Sequence, residues 1–195
     1  MQPAFSRALL AIAVLFAGCA TAPVIGNRPS GELRAQLDTT MATQVRALGL
    51  NGDWLVIRGY HATDNLVATI TNKPFSHAAV LDLDHDRVIE AESQGVHVSP
   101  LPDFVARAHR LVLIRPVWAN AESSAAALAK ARELVGRPYD FLGLIGLDIP
   151  DRFYCSELTL EIYRPFIRPD DVVPRPVEPG QLYYWGRVLY DSGAL

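Results

Sequence analysis

The chain has 195 residues, 50% of them apolar and 20% charged, enough for one globular domain with a real core, which excludes a disordered or low-complexity protein. Lys+Arg 18 against Asp+Glu 21 leaves a net charge of −3, so no basic field exists to hold a nucleic-acid backbone, and no nucleic-acid partner is expected. The chain carries no internal repeat.

Arg7 precedes an unbroken apolar stretch, Ala8 to Ala17, that ends in Gly18-Cys19, the pattern of an export signal. A helix of that length rises about 15 Å, half of a bilayer's hydrocarbon core, so the stretch reads as an h-region and not as a transmembrane anchor. Phe16-Ala17-Gly18-Cys19 resembles the lipobox of bacterial lipoproteins, with Phe16 where Leu is usual. That resemblance implies a signal peptide over residues 1–18 and lipid on Cys19 as the new N-terminus. Ala20, in place of the Asp that retains Gram-negative lipoproteins at the inner membrane, implies a cell-envelope protein on the periplasmic face of the outer membrane. An ordinary secretory signal with a chance cysteine is the alternative. Residues 19–29, with Pro23, Gly26 and Pro29, read as a flexible tether. Only two cysteines exist, so Cys155 is then alone in an oxidising compartment, either buried and inert or kept for chemistry.

The domain is expected over residues 30–195. After Ser30, a good N-cap, Leu33, Leu37, Met41, Val45 and Leu48 recur at helical steps and predict a helix to about Leu48. Asn51-Gly52-Asp53 turns the chain into the strand Trp54-Leu55-Val56-Ile57. A short helix is expected from Asp64 to Thr71, ended by Asn72-Lys73-Pro74. Ala78 to Leu83 and Val88 to Glu92 form a β-hairpin across Asp84-His85-Asp86-Arg87. A helix from Pro102 to His109, a strand from Leu111 to Arg115 and a helix capped by Asn120 and closed at Gly136 follow. In the proline-rich last third, Tyr154 to Arg164 reads as a helix and Tyr183-Tyr184-Trp185 as a final strand. Strands in the middle with helices on either side make the class α+β, a small antiparallel sheet packed against helices.

Chemistry concentrates at two places. In the hairpin, alternation puts His77, Glu90 and Glu92 on one face, so a carboxylate lies within reach of an imidazole and can fix its tautomer. The bland reading is a solvated hairpin face. In Phe153-Tyr154-Cys155-Ser156-Glu157-Leu158, Cys155 shares a buried stripe with Leu158 and Ile162 and sits in the first turn of its helix. A helix start stabilises a thiolate and offers backbone N–H groups to an oxyanion; the bland reading there is a small core residue.

Ser76-His77-Ala78-Ala79-Val80, Val88-Ile89-Glu90-Ala91, Gly95-Val96-His97-Val98, Gly136-Arg137-Pro138-Tyr139-Asp140 and Tyr154-Cys155-Ser156-Glu157-Leu158 resemble the permuted papain-like amidases of the YaeF/YiiX type, within the NlpC-like cysteine hydrolases. The resemblance runs from about Asp53 to Tyr184, and His77 precedes Cys155 as the circularly permuted group requires. It implies a permuted papain-like (NlpC-like) fold with Cys155 as nucleophile, His77 as base and Glu90 as the group that orients the histidine, where parity alone leaves Glu92 open. Tyr154 and Tyr139 are candidates for lining the substrate cleft. The implied activity is a cysteine amidase or peptidase forming an acyl-enzyme on a cell-wall peptide or an acyl amide. A non-catalytic binding lipoprotein that keeps the fold, or an acyltransferase acting on lipids, is the alternative. No cofactor or metal is expected: Asp82-x-Asp84-x-Asp86 begins like a calcium loop but has Arg87 where Gly is needed, and His61, His85, His97 and His109 lack ligand spacing.

Overall fold

A computed structural model describes residues 29–60 and 74–193; the expected export signal, Cys19, the expected tether up to residue 28 and the helix expected over Asp64 to Thr71 lie outside them. Strand β1 (Trp54–Gly59) sends Trp54 and Val56 to one face and Leu55 and Ile57 to the other, all buried, so it needs cover on both sides. It forms the middle of a sheet with β2 (His77–Asp82), β3 (Arg87–Glu92), β4 (Gly95–Pro100), β5 (Ala108–Pro116) and β6 (Gly186–Asp191). The spatial order is β4-β3-β2-β1-β5-β6, antiparallel throughout.

One face is covered by α1 (Gly31–Leu48) and α2 (Leu101–Ala106), whose Met41, Val45, Leu101 and Phe104 pack on Leu55, Ala79, Leu81 and Val88. The other takes α3 (Ala121–Glu133) and α4 (Cys155–Glu161), with Ala127, Leu128, Leu158 and Ile162 against Trp54, Val56, Ala78 and Val80. The Asn120 side chain caps α3 by accepting the Glu122 and Ser123 N–H groups. Among the described residues no helix is long and apolar enough to cross a membrane.

The α+β class, the hairpin and the helix after Ser30 match the expectation from sequence, and three elements differ. The helix expected to His109 stops at Ala106, because Ala108 and Arg110 are drawn into pairing with Gly59 and Arg58 on β1. Tyr183-Tyr184-Trp185 is no strand: it ends a 3₁₀ helix, Pro179–Trp185, opened by a proline at its first position, and the last strand is β6. Gly95–Pro100 is an additional edge strand. Fully buried Asp82 accepts from Arg87 and from Arg132 of α3, which ties the hairpin turn to the helix layer.

Edge strand β4 leads toward the site. Val96 N–H donates to the Arg137 carbonyl and Gly136 N–H to the Val96 carbonyl, and Pro138–Asp140 in turn exchanges backbone bonds with Phe153, two residues before Cys155. Gly95 lets this happen: its φ is +103°, and a Cβ would lie 2.5 Å from the Arg137 oxygen. Gly95→Ala should therefore cost about 2–3 kcal/mol of stability through left-handed strain and a forced shift of the Arg137 strip, measurable as a lower denaturant midpoint at unchanged slope.

Candidate active site

Pairing of β2 with β3 stops at Ala79–Glu90, although β2 begins at His77 and β3 runs on to Glu92. The start of α4 packs against that opening, where Ala78 and Ala91 offer only small side chains. The Ala78 N–H, left over where the ladder stops, and the Ser156 N–H from the helix itself both act to lower the Cys155 thiol. The Ser156 hydroxyl donates to the Val177 carbonyl at 2.6 Å and anchors the helix start from below. Cys155 is a free, buried thiol.

The His77 imidazole interacts with the Cys155 thiol on one side, which raises it, and on the other its Nε2 lies 2.6 Å from Glu90 Oε2. With Nε2 taken by the carboxylate, Nδ1 is the atom left for the thiol. The register that sets Ala79 against Glu90 puts Glu92 level with His77, yet the imidazole takes the diagonal neighbour, Glu90, a reach that side chains on one sheet face allow. The three residues that the motif analysis singled out converge, and of the two glutamates it is Glu90 that meets the histidine.

Burial alone would raise the Cys155 thiol, but the His77 hydrogen bond and charge, aided by the Ala78 and Ser156 N–H groups, bring it below its ordinary value. Burial likewise works against a charged His77, and the bonds to Cys155 and Glu90 outweigh it, so the imidazole is raised. Glu90 has no exposed surface; burial would raise it, and His77 and Arg107 hold it down at about 2. Each shift favours the charged form of its group, so the row tends toward alternating charge: thiolate, imidazolium, carboxylate, guanidinium.

Arg107 is the residue that sequence reasoning missed. Its Nη2 donates to both Glu90 oxygens, at 2.7 and 2.8 Å, and its Nη1 to Glu92 Oε1 at 2.6 Å. The guanidinium sits over the Phe104 ring, which also faces the His77 ring at 6.0 Å between centroids. Glu92 is thus a ligand of the arginine. His97 stands 3.6 Å from Glu90 and 3.5 Å from Glu92.

The stretch of chain that carries this site is matched by a family model. The model described as "Permuted papain-like amidase enzyme, YaeF/YiiX, C92 family" matches residues 52–172. The chain belongs to this family. The family is one of cysteine amidases and peptidases. Among solved structures the family fold is shared by metalloprotein yiiX from Escherichia coli O157:H7, at 24% identity and a TM-score of 0.50. That match covers 60% of this chain and 66% of that one. No curated protein matches.

In this family member Tyr139 and Tyr154 flank the cysteine in different ways. Tyr139 stacks edge-on with Phe141 at 4.8 Å, and burial followed by the charge on Cys155 raises its phenol, so it lies within electrostatic reach of the sulfur. Tyr154 is buried, and its hydroxyl accepts the Val177 N–H at 2.9 Å. Two sets of side chains among the described residues have ligand atoms within 4.8 Å of one another, His77/Glu90/Glu92 and Asp140/Asp148/Glu157. Neither fits a metal: Arg107 and the direct His77–Glu90 bond occupy the first. In the second, Asp140 is spent on three backbone N–H groups and Asp148 pairs with Arg175.

Arg107→Gln leaves a buried carboxylate with one cation fewer and should cost about 3 kcal/mol at neutral pH. Because Glu90 is depressed in the folded protein, its contribution is fully present above its unfolded value of 4.5 and is lost as pH falls toward about 2. The stability gap between wild type and variant, read from urea titrations, should therefore narrow over that acid range.

Proposed function

We propose that the chain is a lipid-anchored cysteine amidase acting through Cys155, His77 and Glu90 and an acyl-enzyme, on a cell-wall peptide or an acyl amide. The observation that carries this reading is the buried His77–Glu90 hydrogen bond beside a buried free Cys155, with the thiol shifted down and the imidazole up. The Cys155 thiolate attacks the acyl carbon, and the carbonyl electron pair moves onto oxygen, where backbone N–H groups at the start of α4 stabilise it. Collapse of this intermediate breaks the carbon–nitrogen bond, and protonated His77 gives its proton to the departing amine. His77, now neutral, takes a proton from water as the water attacks the thioester. Release of the acid returns Cys155 as thiolate and His77 as imidazolium, with Glu90 holding the ring in place throughout. Tyr139 and Tyr154 line the cleft in this reading, Tyr139 from the sulfur side.

Lipid on Cys19 and a place on the periplasmic face of the outer membrane complete the proposal, supported by Phe16-Ala17-Gly18-Cys19 and by Ala20. A lone free thiol at Cys155 in an exported chain also suits a cysteine kept for chemistry.

Iodoacetamide should alkylate Cys155 in the folded protein quickly at pH 7, and the rate should persist as pH falls below the ordinary thiol range. His77→Ala should slow it by about tenfold or more, since burial then raises the thiol unopposed, and Glu90→Gln should slow it less. Cys155→Ser should abolish turnover of acyl amides. A thiol that reacts only on unfolding, with His77→Ala without effect, would make the pair structural. For the anchor, Cys19→Ala should lose metabolic lipid labelling and membrane partition while the domain still folds; unchanged partition would refute lipidation at Cys19.

A further inference from the structure

From Phe141 to Leu147 the chain reads Phe-Leu-Gly-Leu-Ile-Gly-Leu, with no polar atom in any side chain. Phe141, Leu142, Leu144, Ile145 and Leu147 are each between 44% and 71% exposed. Five large apolar side chains shown to water in one loop need an explanation, because scattered single ones are ordinary and a contiguous strip is not.

The loop is built rather than merely uncovered. Asp140, fully buried, accepts the N–H groups of Leu142, Gly143 and Ile149 and closes the loop at its base. Ile145 and Leu147 donate to the Leu142 carbonyl and Gly146 to the Gly143 carbonyl. Five of its backbone donors, at Leu142, Gly143, Ile145, Gly146 and Leu147, are thus satisfied within the loop and its base, which lowers the cost of taking that backbone out of water. Gly143 fits against Asp140 and the Tyr154 ring, where a Cβ would meet them at 2.7 and 2.9 Å, so the strip stands beside the residue that precedes Cys155.

We propose that Phe141–Leu147 inserts into the headgroup–acyl boundary of a phospholipid bilayer. A protein partner would be expected to find hydrogen-bonding groups around an apolar anchor; Phe141 is the one aromatic ring of this strip and none of its side chains can donate or accept a hydrogen bond, which suits hydrocarbon. The position of the N-terminal chain agrees. Arg34, in the first turn of α1, donates to the carbonyls of Val105, Ala106 and Ala108. Ala108 pairs with Gly59 near the end of β1 where Ile57 pairs with His77, so α1 begins at the active-site end of the sheet. The stretch from Cys19 to Pro29 spans at most about 35 Å when extended. Lipid on Cys19, which rests on the reading above, would keep this end of the domain near a membrane surface.

The test is depth-resolved fluorescence of the full chain carrying Ile145→Trp, mixed with vesicles of phosphatidylcholine and phosphatidylglycerol whose acyl chains carry bromine. The three native tryptophans are buried, and Leu50→Trp, an exposed position past the far end of α1, is the control. Bromine should quench the indole at position 145 by about half or more and leave that at position 50 nearly unchanged, as for a segment at the acyl boundary. Absence of quenching at 145 in the vesicle-bound chain, or failure of the chain to bind vesicles, overturns the inference. So does a blue shift at 145 that grows with protein concentration without vesicles, which would assign the strip to a second copy. The readout needs no turnover, so an inactive enzyme leaves it intact, and Cys19→Ala run in parallel separates a missing lipid from a loop that does not insert.

Discussion

A carboxylate with no exposed surface must be paired, and the site is organised around that requirement at Glu90. His77 takes one oxygen and Arg107 chelates both. Each partner comes from a separate piece of the fold: the imidazole from the start of β2, the carboxylate from β3, the guanidinium from the connection between α2 and β5. Arg34 of α1 binds the carbonyls on either side of Arg107, so the helix layer fixes the arginine's backbone. Charge pairing at one buried atom group thus couples three strands and two helices, and it leaves the imidazole one free nitrogen, turned to Cys155.

The opening between β2 and β3 provides the other half. Where the ladder stops, the Ala78 N–H that β3 would have engaged is available to sulfur. A sheet that gives up its last hydrogen-bonded pair and a helix that begins at the gap together place a thiol where two backbone N–H groups and the His77 ring act to lower it. A lone buried cysteine would have its thiolate penalised by burial; here the same burial strengthens the interactions that favour it. The Asp140 loop, closed by three N–H bonds and joined to Phe153, frames this cysteine on the side where the apolar strip projects.

Much of this was legible from residues alone, for local reasons. Alternation along the hairpin put His77, Glu90 and Glu92 on one face, and the spacing of Cys155, Leu158 and Ile162 put the thiol on a buried stripe. Parity has a period of two, so it could not separate Glu90 from Glu92; in the structure Glu90 meets both His77 and Arg107 while Glu92 meets the arginine, whose approach is set by how α2 packs on the sheet. No local pattern announces such an arginine. Gly95–Pro100 escaped because glycine and proline bound it and its edge position relaxes the alternation. Tyr183-Tyr184-Trp185 misled because aromatic content favours strands while Pro179 and the bond from Glu178 N–H to the Gln181 side chain wind the segment into 3₁₀ turns. Ala108 to Arg110 carries too little apolar pattern to declare itself as strand, and joins β5 only because β1 offers Arg58 and Gly59 as partners.

The central claim is that Cys155 and His77 form a resting thiolate–imidazolium pair held in place by Glu90. The most direct measurement is the ultraviolet absorbance of the thiolate as a function of pH in the folded protein, with Cys155→Ala as the blank. The pairing predicts a thiolate signal already present at neutral pH and lost only on acidification below the ordinary thiol range, with the titration displaced upward in His77→Ala. A signal that first appears at or above the ordinary thiol range in the wild-type protein, and is unmoved by His77→Ala, would contradict it.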